Sequence, residues 1–219
     1  MEYRDRSLYL EDLPLADIAK KEGTPCYVYS SAAILERFRA YDNAFADAPH
    51  KICFAVKANG SLAILKLLAQ AGAGFDIVSG GELFRALKAG ADPRSIIFSG
   101  VGKTAQELDY ALGFPLHSFN CESEPELVLL DSLAARRGIQ PRVAVRVNPD
   151  VDAATHPYIS TGLREHKFGI DINQAEAVYG RARHLENLRL EGVSCHIGSQ
   201  ILGTEAMLEA FDKMVDLVQ

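Results

Sequence analysis

Residues 52 to 78 read ICFAVKANGSLAILKLLAQAGAGFDIV, and this stretch decides the fold. A short apolar run at 52–56 is followed by a segment at 62–68 whose apolar residues recur at helical spacing, and then by a second apolar run at 75–78. The two runs are typical of strands, and the segment between them is typical of an amphipathic helix. A helical crossover joins parallel strands, so the stretch predicts one strand–helix–strand unit of a parallel sheet.

The same unit recurs along most of the chain. Further apolar runs bring the number of predicted strands to six, at 96–98, 117–119, 143–147 and 192–196. Thr104 with Glu107, and Ser123 with Glu126, have capping-box spacing at the start of helical stretches. The repeat predicts an α/β protein with either a doubly wound sheet or a (β/α)-barrel, and periodicity alone does not choose between them.

Both ends of the chain depart from this repeat. Ahead of it, the sequence predicts an extended segment, a helix, a strand and a second helix, at 8–10, 15–22, 26–29 and 32–45. At the far end, Thr204 opens an amphipathic helix that runs to Gln219 with no glycine cap. Parallel strands rolled toward a barrel leave open edges until the ring closes. We therefore expect the chain to be cut before closure.

The composition bounds the class of protein. The chain has 219 residues, 48% hydrophobic and 24% charged, which is typical of a globular protein with a sizeable core. A net charge of -6 without a basic stripe argues against nucleic acid or an anionic membrane as a partner. No apolar run reaches the roughly 18 residues of a membrane span, and no secretory signal is visible. Four widely spaced cysteines without a CxxC pair favour a reducing, cytoplasmic location.

Lys57 is the first candidate for chemistry. It follows directly on the apolar run 52–56, so we expect it at the carboxyl end of the first parallel strand, where barrel enzymes place their sites. A partly desolvated lysine there can lose its proton and attack an aldehyde, which makes Lys57 a candidate Schiff-base residue. The structural alternative is a lysine that extends its ammonium group into solvent from a strand end.

Two charged residues interrupt predicted strands that are otherwise apolar. Asp76 lies within the run 75–78 and needs a partner if it is buried, so it is either half of an ion pair or a site residue. Arg146 lies within the run 143–147, where its guanidinium could hold a phosphate or a carboxylate through two hydrogen bonds. The alternative for Arg146 is a salt bridge to Asp76 or Glu82.

His196 and Ser199 follow the sixth predicted strand, so they should lie at the same face as Lys57. The imidazole could stack on a flat cofactor, and the Ser199 hydroxyl could bind phosphate oxygens. The alternative is that His196 is a core histidine whose ring nitrogens are hydrogen-bonded within the protein. We expect Cys195 in the core, because neighbouring strand residues point to opposite faces.

Two further types of site have weaker support. The turn 79–82 carries two glycines at a helix start, where free amide groups can bind an anion, although tight turning explains these glycines equally well. The histidines show no metal-ligand spacing, so the sequence predicts no metal.

Several phrases of the sequence recur together in one family and in one order: Phe54 to Asn59, Gly74 to Glu82, Arg146 to Pro149, His156 to Gly162, His166 to Gly169, and His196 to Gln200. Through these phrases the chain resembles the fold-type III decarboxylases that depend on pyridoxal 5'-phosphate (PLP), and most closely those that act on diaminopimelate. The phrases cover nearly the whole chain. The resemblance implies an α/β fold, a PLP-binding (β/α)8 TIM barrel of the alanine racemase type, with about six of its eight strands present.

The resemblance also divides the chain. It implies that residues 1–30 are the N-terminal segment of the family's β domain, and that residues 31–219 are the PLP-binding barrel, truncated before closure. The family's glycine-rich phosphate loop and its substrate-binding arginines are expected beyond Gln219.

The resemblance gives roles to the candidate residues. It implies that Lys57 holds PLP as a Schiff base and that His196 stacks on the cofactor ring. Asp76, Arg146 and Ser199 would line the surroundings of the cofactor.

The activity that the resemblance implies for the full-length protein is decarboxylation of meso-diaminopimelate to L-lysine, by a cytoplasmic homodimer acting on a small amino-acid substrate. The stretch from His156 to Lys167 favours this substrate. Two alternatives stay open: an ornithine- or arginine-type decarboxylase of the same fold, and a barrel protein that binds PLP without chemistry.

Overall fold

The computed structural model describes residues 1–151, 168–199, 201 and 203–219. The first residues form a small antiparallel sheet of three strands, β1 (Glu2–Arg4), β2 (Ser7–Leu10) and β3 (Leu13–Pro14). Two helices follow, α1 (Leu15–Glu22) and α2 (Ser31–Ala44). Both lie within one residue of their predicted positions.

The strand predicted at 26–29 is wrong. These residues form no strand, because a strand needs a hydrogen-bonded neighbour and no described residue pairs with them. Tyr27 is 91% exposed, so its side chain does not pack either. The assignment of residues 1–30 to a separate β domain stays a prediction.

The main sheet consists of seven strands in the described part of the chain. They are β4 (Cys53–Ala55), β5 (Gly74–Ile77), β6 (Ile96–Phe98), β7 (Ser118–Cys121), β8 (Arg142–Asn148), β9 (Ile170–Asp171) and β10 (Arg189–Ser194). Every pairing between them is parallel. The six predicted strands are confirmed, each within a few residues. The sequence did not indicate β9, because two residues are too few to show a period.

The order of the strands chooses between the two predicted architectures. The path through the sheet is β4, β5, β6, β7, β8 and β10, with β9 paired beside β8. A doubly wound sheet reverses its strand order at a switch point, whereas a barrel adds each strand beside the previous one. This sheet shows no reversal among the described strands and therefore winds as a barrel does.

Helices alternate with these strands: α3 (Leu62–Gln70), α4 (Gly80–Lys88), α5 (Ala105–Ala111), α6 (Glu124–Arg137), α7 (Ile172–Ala182) and α8 (Glu205–Val218). Successive helices from α3 to α7 pack against each other. They lie on one side of the sheet, because right-handed crossovers that all advance in one direction place their helices on the same face.

The two faces of the sheet differ in polarity. Phe75, Phe98 and Phe119 point toward the helices and are at most 2% exposed, and burying each such side chain contributes about 1.5–3 kcal/mol. Asp76 and Asn120, their neighbours in the chain, point to the other face and are only half-buried. The apolar face builds the core, and the period of two residues brings polar side chains to the opposite face.

Some predictions fall outside the described residues. They are the phrase from His156 to Gly162, the first two residues of the phrase from His166 to Gly169, and with them the stretch from His156 to Lys167. In the part of the chain that is described, no helix combines the length and apolarity needed to cross a bilayer.

Candidate active site

A cavity of about 690 Å³ lies at the carboxyl ends of the parallel strands. Its lining includes all the site residues singled out in the sequence: Lys57, Asp76, Arg146, His196 and Ser199. Parallel strands end at the same edge of a sheet, so residues distant in the chain meet there. The volume is that of a site for a small molecule or a cofactor.

Lys57 reaches the cavity from a single 3₁₀ turn, Val56–Ala58, that follows β4. Its side chain is exposed on the cavity wall, and no described residue makes a hydrogen bond or an ion pair with it. Its ammonium group lies near enough to Asp76 and His196 to act on the pKa of both. Lys57 is therefore an amine directed at the cavity and not engaged elsewhere in the described structure.

Asp76 is held by a chain of hydrogen bonds across three adjacent strands. The Ser99 hydroxyl donates to Asp76 Oδ1 at 2.5 Å, and Asn120 Nδ2 donates to Ser99 Oγ at 3.0 Å. Burial raises the pKa of Asp76, and the Ser99 hydrogen bond and the Lys57 ammonium oppose that rise. The sequence analysis missed Ser99 and Asn120, although each lies at the carboxyl end of a predicted strand, which is the signal that could have found them.

Arg146 makes an ion pair that the sequence analysis did not predict. Its Nη1 donates to Glu122 Oε1 at 2.7 Å, and both side chains are largely buried. The predicted alternative partners, Asp76 and Glu82, are wrong. Glu82 instead accepts the amide N–H of Val78 at 2.7 Å, and the strand that carries Asp76 is three strands from β8, whereas Glu122 directly follows the neighbouring strand β7.

Two buried polar atoms have no hydrogen-bond partner in the described part of the molecule: Glu122 Oε2 and Ser194 Oγ. Ser194 lies opposite Arg146 in the register of β8 and β10, and it lines the cavity. Such atoms are few in native proteins, because leaving them unpaired costs free energy. The Ser194 hydroxyl is thus available to a ligand in the cavity.

His196 and Cys195 both line the cavity. The prediction that Cys195 lies in the core is wrong, since it is exposed. The reason is that β10 ends at Ser194, so the residues beyond it no longer alternate between two faces. The cavity walls, Arg146 and Lys57 lower the pKa of His196, which favours a neutral imidazole near pH 7. Partial desolvation by the surrounding cavity wall raises the pKa of Cys195, so its thiol stays protonated near pH 7.

Two amides of the turn 79–82 are bonded within the chain itself. The Gly80 N–H donates to Glu107 Oε1 at 2.9 Å, and Ser79 Oγ caps α4 by accepting from the Glu82 amide. These contacts place a carboxylate of the chain itself at the helix start, and the Gly80 hydrogen bond is the main cause of a lowered pKa of Glu107. The hypothesis of an anion site at this turn is therefore not supported.

A buried ion pair lies directly behind the cavity wall. Lys103, whose side chain is 0% exposed, contacts Glu126 at 2.6 Å. The capping box predicted at Thr104 and Glu107 is complete, but the one predicted at Ser123 is only half formed. Ser123 accepts from the Glu126 amide, whereas the Glu126 carboxylate bonds to Lys103 and to the Glu122 amide. The sequence analysis missed Lys103.

Comparison with known proteins defines the class to which this fold and cavity belong. The sequence model of the family "Pyridoxal-dependent decarboxylase, pyridoxal binding domain" matches residues 31–219. The chain belongs to this family of PLP-dependent decarboxylases. The predicted family, barrel fold and cofactor class are confirmed at this level.

Several of the curated relatives are diaminopimelate decarboxylases. That of Pseudomonas aeruginosa is 55% identical over 216 residues, which are 99% of this chain and 52% of the relative. That of Aquifex aeolicus is 51% identical over 219 residues, 100% of this chain and 52% of the relative. The chain spans about half the length of the curated relatives it matches.

Solved structures agree with this assignment. Diaminopimelate decarboxylase from M. jannaschii in complex with L-lysine has a TM-score of 0.92 at 36% identity, over 99% of this chain and 52% of that one. Lysine decarboxylase from Selenomonas ruminantium in complex with PLP and cadaverine has a TM-score of 0.78 at 26% identity, over 96% of this chain and 50% of that one.

Proposed function

We propose that this chain supplies the PLP-binding part of an enzyme that removes carbon dioxide from meso-diaminopimelate to give L-lysine. The observation that carries the proposal is the cavity in which an unengaged lysine, a carboxylate, an arginine and a neutral imidazole lie together. The identity to diaminopimelate decarboxylases over nearly the whole chain supports this choice of substrate.

The residues of the cavity fit PLP. Lys57 offers an amine to the cofactor aldehyde, and a neutral His196 can stack its flat ring on a pyridine. Arg146 and Ser199 offer hydrogen-bond donors to phosphate or carboxylate oxygens. Ser194 adds a buried hydroxyl that otherwise has no partner among the described residues. When bound, PLP supplies an electron-accepting ring that stabilises the negative charge left after a carboxylate departs.

The residues of this chain provide the attachment point, the charges and the hydrogen bonds around the cofactor. Lys57 Nζ is the point of covalent attachment, and Asp76, held in place by Ser99, provides a negative charge beside it. Glu122 fixes the Arg146 guanidinium through one nitrogen, which leaves its other N–H groups for a ligand. Arg146 and Glu122 are largely buried, which strengthens the electrostatic contact between them.

We infer a cytoplasmic homodimer as the setting of this activity. The support for the location is that all four cysteines are free, which is typical of a reducing compartment. The support for a small amino-acid substrate is that solved relatives hold L-lysine. The dimer rests on the family resemblance alone.

The experiment uses the full-length protein loaded with PLP. We expect carbon dioxide and L-lysine from meso-diaminopimelate, and much slower release from ornithine, arginine or lysine. Faster turnover of ornithine or arginine would favour the alternative decarboxylase, and PLP binding without carbon dioxide from any of them would favour the non-catalytic barrel protein. Either result contradicts the proposal.

A further inference from the structure

Lys103 is a buried cation that the proposed chemistry does not use. Its Nζ donates to Gly100 O at 2.7 Å, to Asn120 O at 2.8 Å and to Glu126 Oε1 at 2.6 Å. Lysine carries three donors, so all of them are satisfied. The ammonium also lies 5.7 Å from the centre of the Phe98 ring.

The first contact of Lys103 fixes a loop of the cavity wall. Gly100, Val101 and Gly102 line the cavity. Gly100 has φ +99, and a Cβ there would lie 3.1 Å from Val78, so only glycine fits this bend. The bend turns the Gly100 carbonyl toward Lys103. The hydrogen bond between them holds this loop from the side away from the cavity.

The second contact leads to Asp76. Lys103 holds the backbone carbonyl of Asn120, while the Asn120 side chain donates to Ser99. Ser99 in turn donates to Asp76, the carboxylate beside Lys57. A series of contacts thus runs from the buried ammonium to Asp76, a carboxylate whose pKa the Lys57 ammonium influences.

The third contact leads to Arg146. Lys103 binds one oxygen of Glu126, and the other oxygen accepts the amide N–H of Glu122 at 2.9 Å. The Glu122 side chain then holds Arg146 at 2.7 Å. The same lysine therefore lies at the start of both series of contacts that reach the cavity.

We propose that Lys103 is a positioning residue of the active site, which fixes Asp76 and Arg146 in the orientations that hold the cofactor. Buried ion pairs are weak contributors to stability, because the loss of hydration offsets the attraction between the charges. A geometric role therefore accounts for the presence of this pair better than a contribution to stability does. The inference rests on the proposed function in one respect, since it needs PLP to bind in the cavity.

The test removes the pair without leaving a buried charge. Full-length protein carrying Lys103→Met and Glu126→Gln loses the cation, while the glutamine oxygen can still accept the Glu122 amide. The matched control carries Arg137→Met and Asp109→Asn, which removes an exposed pair between α5 and α6. The readouts are the PLP dissociation constant and the circular dichroism of bound PLP, with thermal unfolding of the cofactor-free protein.

We expect the double variant to fold, to bind PLP about tenfold more weakly and to show altered circular dichroism of the cofactor, as residues of one hydrogen-bond network are coupled. The control should match wild type. Wild-type binding by the double variant would overturn the inference, and so would its failure to fold, because Lys103 would then serve the fold. If wild type itself binds no PLP, the proposed function fails instead.

Discussion

Lys57 and Lys103 both follow strands of one parallel sheet, β4 and β6, and both lie beside the same cavity. Lys57 is exposed on the cavity wall and has no hydrogen-bond partner among the described residues, whereas Lys103 is 0% exposed and has three. A lysine that acts as a nucleophile needs an amine that is not held by hydrogen bonds. A lysine that positions other residues needs an amine that is held by them. The partners of a lysine, more than its place in the sheet, thus decide what it can do.

The largest effect expected concerns Lys57. Lys57→Ala in the full-length protein should abolish the absorbance of lysine-bound PLP and the release of carbon dioxide, because no other unengaged amine is known in the described part of the cavity. Absorbance spectra after addition of PLP and removal of its excess check this. Lys66→Ala, on the exposed surface of α3, is the control. Retention of the lysine-bound spectrum in Lys57→Ala would remove Lys57 from its proposed role.

The next effect concerns the stability contributed by Lys103. Lys103→Met alone leaves the Glu126 carboxylate largely buried without its cation, and breaking a buried pair in this way costs about 3–5 kcal/mol. Urea unfolding of the full-length protein measures the loss. Arg137→Met breaks the exposed pair with Asp109 and should cost far less, because solvent screens exposed ion pairs. Equal losses in the two variants would show that burial does not distinguish the pairs.

A third effect tests whether Arg146 depends on its partner. Glu122→Gln removes the negative charge that holds Arg146, and the hydrogen bond that the neutral amide oxygen can still accept is roughly half as strong. We expect weaker binding of PLP by roughly tenfold or more, measured by titration. Glu124→Gln, two residues away, loses only an exposed pair with Arg181 and should bind as wild type does. Unchanged binding in Glu122→Gln would mean that Arg146 needs no such support.

The comparison of the two lysines also shows how far the sequence could be interpreted. The strands were predictable because apolar periodicity reports burial on one face, and Lys57, Asp76 and Arg146 were visible because each interrupts or ends an apolar run. Lys103 and Glu122 flank helix starts, where charged residues are ordinarily solvated. Their burial depends on partners 23 and 24 residues away in the chain, which local patterns do not reveal.

The smallest effect is a change in one pKa. Burial, Arg146 and Lys57 together hold the pKa of His196 below its ordinary value of 6.5. Lys57→Ala removes one of these causes, so the pKa should rise and the imidazole should take up its proton at a higher pH. Lys66→Ala should leave it unchanged, because Lys66 lies on the exposed surface of α3 and is not among the groups that act on this pKa. Histidine C–H resonances followed by NMR against pH in cofactor-free protein measure both variants.

The sign of this shift fixes its effect on folding. In the unfolded chain His196 takes up a proton near 6.5, whereas the folded protein resists protonation until the pH falls further. The unfolded state therefore binds more protons in that window, and stability falls as the pH drops through it. Lys57→Ala raises the folded-state pKa of His196 and so narrows this pH range. As the pH falls, the variant should therefore lose less stability through His196 than wild type does. An equal shift of the His196 pKa in Lys57→Ala and Lys66→Ala would mean that the Lys57 ammonium does not act on the imidazole from within the cavity.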